Sequence, residues 1–393
     1  MNRSQSLQKQ RTTIPVVEIK AVTWNKDSHG LFDYENSYYD MKKFQLTKST
    51  RLYRNRNEIL SQEKSSLDEE IEAEAEYLLS LTKDPTQPEK YHIDVPGDFP
   101  ASNRITRPNY LIIRSLKCKD GRSQRGYTLQ PGDIMKLGRI DYRILEISTR
   151  AQLMTNNQLN NELVNLMPSL VFDGDLHAGE QRNEESLCKY CLMDHISEDP
   201  LLDLMLYLCK CKEGVHYQCL KNWMQYKIVA KASTNIVSYQ WKKLDCEICL
   251  TPWPRKIKFQ NQLHELITIE KPSSPYIIIE KISQESNSSS TMSIIIPDGS
   301  NQIKLGRGHQ CDLRISDISV SRVHALLKYE DDKFLVFDND SKFGTLILLT
   351  QNYPVKFDKA AVQIGRTVFT FVMKNLVVDN GRSSQTLPEN AAN

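Results

Sequence analysis

No run of apolar residues in this 393-residue chain approaches the roughly 20 needed to cross a bilayer. The opening MNRSQSLQKQRTT lacks the apolar centre of a secretory signal. Charge of one sign is missing too. Lys and Arg total 51 against 49 for Asp and Glu, a formal net charge of +2, which argues against a protein built to coat nucleic acid. These absences lead us to expect a soluble protein of the cytoplasm or nucleus, with neither membrane nor nucleic acid as partner. Cysteine is scarce: nine residues, all but Cys118 and Cys311 lying between Cys188 and Cys249. In a reducing compartment, paired cysteines point to metal ligation before disulfides.

What is present is therefore concentrated. The window reads Cys188-x2-Cys191, Cys209-x-Cys211, His216-x2-Cys219 and Cys246-x2-Cys249. Zinc closes its shell with four thiolate or imidazole donors, so eight donors imply two ions. The pair order suits a cross-brace. Cys188, Cys191, His216 and Cys219 would share one ion; Cys209, Cys211, Cys246 and Cys249 would share the other. His195 is expected to be a loop residue, because the ligand set is already full. A chelator is expected to unfold residues 187–256 and spare the C-terminal β-sandwich.

The length suggests two to four domains. Residues 1–13 are expected to be disordered, 14–150 a β-rich domain, 151–186 a linker and 379–393 a disordered tail. Within the first of these, residues 63–81 read as an acidic helix with Leu67, Ile71, Leu78 and Leu79 along one side. Residues 127–147 read as a hairpin entered through Pro131-Gly132-Asp133. Leu137-Gly138-Arg139-x-x-Tyr142 returns as Ile364-Gly365-Arg366-x-x-Phe369, a weak internal repeat. Both arginines are expected to sit in solvated turns. Residues 270–375 carry short strands about ten residues apart, the pattern of an all-β sandwich.

The zinc window resembles the RING-CH class of ubiquitin-ligase zinc fingers through His216-Tyr217-Gln218-Cys219-Leu220-Lys221-Asn222-Trp223 and Cys246-Glu247-Ile248-Cys249. The resemblance implies that Tyr190, Trp223 and Pro252 dock a ubiquitin-conjugating enzyme and that no side chain acts as a nucleophile. Trp223 reads equally as a core aromatic. Leu250 stands where ligases of this class often have a basic residue, which keeps a non-catalytic adaptor in view. A PHD-like reader shares the ligand order, but Leu244 replaces the aromatic that it needs.

A second signature comprises Leu305-Gly306-Arg307-Gly308, Ser319-Val320-Ser321-Arg322-Val323-His324 and Asp338-Asn339-Asp340-Ser341-Lys342-Phe343-Gly344-Thr345. It resembles a forkhead-associated (FHA) domain, a binder of phosphothreonine peptides. The resemblance implies that Arg307, Ser321, Arg322 and Lys342 face the phosphopeptide and that His324 is structural. Phe343 replaces the asparagine often found before the glycine. The reading is then a mainly β multidomain chain: an N-terminal FHA-like β region, a RING-CH-type zinc finger at 187–256 and an FHA β-sandwich at 270–375. The implied function is phosphothreonine-directed ubiquitin ligation with two zinc ions as cofactors. The partners would be a ubiquitin-conjugating enzyme and a phosphothreonine protein.

Overall fold

Strands dominate the computed structural model. It describes residues 11–25, 30–65, 74–87, 90–95, 107–116, 124–156, 171–172, 187–211, 213–242, 244–282, 290–297, 302–355 and 360–379. The expectations for 1–10, for most of 151–186, for the tail beyond 379 and for Leu67, Ile71 and Cys118 lie outside the described residues. No helix among the described residues is long and apolar enough to cross a membrane. The chain divides into two compact units, residues 1–125 with 342–393, and residues 126–341.

In the first unit, strand Arg11–Trp24 pairs antiparallel with Thr367–Asp379 along its length. Opposed residues share a face, so Val17↔Met373, Ile19↔Phe371 and Ala21↔Phe369 stack their side chains in the same core. This is the period-2 logic of a half-buried sheet. Tyr39–Leu46 flanks Arg11–Trp24 on its other side, and Ala360–Ile364 and Asn109–Ile112 continue the sheet beyond Thr367–Asp379. A second sheet runs Tyr353–Val355, Tyr91–Asp94, Glu76–Lys83, Thr50–Asn55, Glu58–Glu63. Leu52, Leu79, Leu81 and Ile93 from it join the same core.

Glu76–Lys83 corrects the C-terminal part of the helix expected over 63–81, whose residues 66–73 lie outside the described residues. Leu78, Leu79, Ser80 and Leu81 are consecutively buried. A short apolar run of this kind fits a strand buried on both faces as well as a helix. Pairing with Thr50–Asn55 and Tyr91–Asp94 decides it.

In the second unit, the hairpin Ile134–Leu137/Ile140–Ser148 forms as expected. Its sheet continues through Tyr276–Ile282 and Ser290–Ile295 to Ile236–Trp241 and Val229–Ala232. The last two strands form a hairpin inserted between the third and fourth ligand pairs. A five-stranded sheet has the order Leu313–Arg314, Ile303–Gly306, Ala325–Glu330, Lys333–Asp338, Tyr127–Thr128.

The internal repeat is visible as two hairpins with two-residue loops. Leu137 pairs with Ile140 and Ile364 with Thr367. Gly138 and Gly365 hold φ of +60° and +55°, which glycine adopts without the steric cost of a Cβ. Their arginines differ: the Arg139 side chain is exposed, whereas Arg366 is not merely solvated. Arg366 Nη1 donates to Trp24 O (2.8 Å) and Asn57 Oδ1 (2.7 Å), and Nη2 to Arg56 O (2.7 Å). The Arg139 amide donates to Ser319 Oγ at 2.9 Å.

Candidate metal centres and phosphopeptide loop

The sequences Cys188-Lys-Tyr-Cys191-Leu192 and Cys246-Glu-Ile-Cys249-Leu250 fold into the same turn. Leu192 N donates to Cys188 O (2.8 Å) and Leu250 N to Cys246 O (2.9 Å). Cys188 N and Cys246 N then donate onward to Met193 O (2.9 Å) and Thr251 O (2.8 Å). Each turn closes through a leucine in the left-handed region, with φ of 59° and 55°, a conformation that costs about 1–2 kcal/mol for a residue bearing a Cβ. Both sulfurs of each turn therefore face one point.

Two groups of donors result: Cys188, Cys191, His216 and Cys219, and Cys209, Cys211, Cys246 and Cys249. Within each, the ligand atoms all lie within 4.8 Å of one another. Donors about 2.3 Å from a tetrahedral zinc sit about 3.8 Å apart, and Cys211 Sγ lies 3.8 Å from Cys246 Sγ. His216 Nδ1 faces Cys191 Sγ at 3.4 Å and Cys219 Sγ at 3.9 Å. Its Nε2 donates to Asp194 O at 3.3 Å, which orients the ring as metal-bound imidazoles require. These residues fit two metal ions. Three thiolates with one imidazole, beside a second set of thiolates alone, suit zinc.

The thiols differ with their surroundings. Burial first, then the charges of Cys188 and Cys191, push the Cys219 thiol up to about 12. Contacts with Cys249, then burial, push Cys211 up to about 12. In the opposite sense, the Thr251 hydroxyl brings Cys249 down to about 5. Crowded thiolates oppose each other's ionisation, and a dication would remove that opposition. His195 stands outside both groups, with its Nδ1 2.8 Å from Asp203 Oδ2.

The helix Tyr217–Tyr226 starts at His216 and buries Tyr217, Leu220 and Met224. On its flank the half-buried Trp223 stacks on Tyr190, centroids 5.8 Å apart. Pro252 is exposed and bridges Asp245. Sequence reasoning missed Lys189. It lies inside the first Cys-x2-Cys, yet its Nζ reaches Cys246 Sγ of the other group at 3.3 Å and sits 4.8 Å over the Trp253 ring. A cation flanked by two thiolate ligands was the available signal. The zinc window also shares its core with the adjoining sheet: Leu220, Met224, Trp253 and Ile257 pack in one cluster with Tyr276, Ile278 and Ile294.

On the five-stranded sheet, strand Ile303–Gly306 delivers Arg307 to the surface. Arg307 N donates to Ser321 O (3.1 Å) and Gly308 N to Arg322 O (2.9 Å), so the loops carrying Arg307, Ser321 and Arg322 are locked together. A Cβ on Gly306 would meet Arg322 O at 2.5 Å; only glycine permits that approach. His324 is fully buried, and its Nδ1 accepts the Ser321 amide at 3.0 Å.

A family model for the FHA domain matches residues 303–361. No curated protein and no solved structure matches the chain. The FHA domain implies phosphopeptide binding. Lys342 falls in the first unit, where its amine lies 3.4 Å from Asp33 Oδ2 and 4.0 Å from Glu35 Oε2.

Proposed function

We propose that this chain is a phosphothreonine-directed ubiquitin ligase of RING type. Arg307, Ser321 and Arg322 would grip the phosphothreonine of a substrate. Two zinc ions held by the eight donors would shape a docking surface at Tyr190, Trp223 and Pro252 for a ubiquitin-conjugating enzyme. The observation that carries this reading is the interleaving of the two donor groups, pairs one with three and two with four, in the same compact unit as the Arg307 loop.

The chemistry asked of the protein is positional. A guanidinium offers a fixed fork of donors to a doubly charged phosphate, and Ser321 stands beside it on a loop braced by His324. Holding a captured substrate near a loaded conjugating enzyme raises its effective concentration. No side chain need form a covalent bond to ubiquitin.

Calorimetry with phosphothreonine and plain threonine peptides tests the first half. Wild type should bind only the phosphorylated form, and Arg307→Ala should lose it. Ubiquitin transfer with a panel of conjugating enzymes tests the second half. Transfer that is absent in wild type, or untouched by Trp223→Ala, counts against ligase activity. A second reading, a non-catalytic adaptor, is favoured by Leu250, an apolar residue 71% exposed just after the last donor. Activity gained in Leu250→Arg would support it.

A further inference from the structure

Two stretches of the chain repeat one another in strand order as well as in motif. Among the described residues, 11–94 supply six strands and 276–338 supply six. In each stretch the first strand pairs with the second, the third with the fourth and fifth, and the fifth with the sixth. Each stretch is then closed by a segment made of one short strand and one hairpin. Residues 353–373 close the first stretch and residues 127–148 close the second.

The two closing segments match position by position. Tyr353 pairs with Ile93 and Tyr127 with Val336, each in the sixth strand of its stretch. Phe371 pairs with Ile19 and Ile144 with Ile279, each in the first strand. Met135, Leu137, Tyr142 and Ile144 are buried at the same spacing as Val362, Ile364, Phe369 and Phe371.

Chain order runs against this match. Residues 127–148 follow the first stretch yet close the second, and 353–373 follow the second yet close the first. The FHA match over 303–361 also runs past 341, where the second unit ends. Each stretch is therefore completed by the segment that, in a repeat read straight through, belongs to the other.

A segment that completes a stretch it does not adjoin can complete the same stretch in another molecule. The pairing of Arg11–Trp24 with Thr367–Asp379 is the same in both cases, so no new surface has to be buried. This is why exchange of an identical element is a low-cost route to dimers. Residues 353–373 lie outside the second unit, and their exchange leaves its own closure by 127–148 intact.

We propose that two copies of this chain dimerise by trading residues 353–373, each copy's segment closing the 11–94 stretch of the other. The buried Phe369 and Phe371 have to be out of the core when the trade is made, so it happens as chains fold and not between folded molecules. The zinc donors and the Arg307 loop stay in the unexchanged second unit, and the dimer presents both in duplicate. The inference stands apart from ubiquitin ligation and phosphopeptide binding.

The test produces two differently tagged full-length chains, together in one cell and separately. A photo-crosslinking benzoylphenylalanine replaces Thr370, which is half-buried and opposite the exposed Lys20, so the probe stays out of the core. Coexpression should yield dimers carrying both tags, with crosslinks from position 370 to residues 17–23 of the other copy. Mixing chains that were made and folded separately should lose the doubly tagged species. Failure to recover both tags together from coexpressed chains overturns the inference. So does a doubly tagged dimer that forms equally well on mixing, or one whose crosslinks from position 370 stay within a single copy, since each is ordinary association of closed monomers.

Discussion

The two compact units are stabilised by different means. The first has an apolar core in which Phe369, Phe371, Leu52, Leu79 and Leu81 are fully buried, and neither donor group lies in it. The second carries both donor groups, and Ile236–Trp241, a strand inside the zinc window, is hydrogen-bonded to Ser290–Ile295 over six residue pairs. Metal loss should therefore spread beyond the zinc window in the second unit, whereas the core of the first contains no donor. The chelation expectation drawn from sequence is thus replaced by a wider one.

The largest effect should come from a chelator. Structural zinc sites contribute about 10–16 kcal/mol to the folding of small domains. Hydrogen exchange should reveal 236–241 and 290–295 losing protection together, with 17–21 and 369–373 retaining it. Protection that survives in 290–295 while 188–249 opens would break the comparison.

Next in size is Phe371→Ala, which removes a fully buried ring from the first unit. It should cost about 3–5 kcal/mol by calorimetry and leave the zinc-to-protein ratio unchanged. A smaller contrast sets the repeated arginines against each other. Arg366→Ala deletes three charge-assisted bonds and should cost about 2 kcal/mol. Arg139→Ala removes only a long, exposed contact to Asp317 (3.5 Å) and should cost under about 1 kcal/mol.

The smallest effect concerns acid. Burial would raise the Asp94 carboxyl, but hydrogen bonds from Lys64, Ser80 and Thr82 outweigh it and hold the group below its usual range. A depressed carboxyl stabilises the fold above its unfolded pKa, and that contribution disappears as pH falls through the folded value. Below about pH 4 the melting temperature should fall more steeply with falling pH for wild type than for Asp94→Asn.

The metal donors were legible because liganding restricts residue type and spacing at once. The FHA signature was legible because Gly306, Arg307, Ser321 and His324 each answer a distinct steric or hydrogen-bonding demand. The strand at Glu76–Lys83 was not, since Leu78, Leu79 and Leu81 fit either period until a pairing partner is known. Neither was Lys189, whose target sulfur is 57 residues away.

One pairing sets a timetable for synthesis. Thr23 and Thr367, hydroxyls 3.0 Å apart, are separated by 344 positions, and the strands that carry them form the spine of the first unit. At about 5–20 residues per second the early strand waits on the order of tens of seconds for its mate to leave the ribosome. Residues 126–341 can close meanwhile as one uninterrupted stretch. The first unit, begun earlier, is the one finished last, and its Val17-Ile19-Ala21 ridge needs shielding until then.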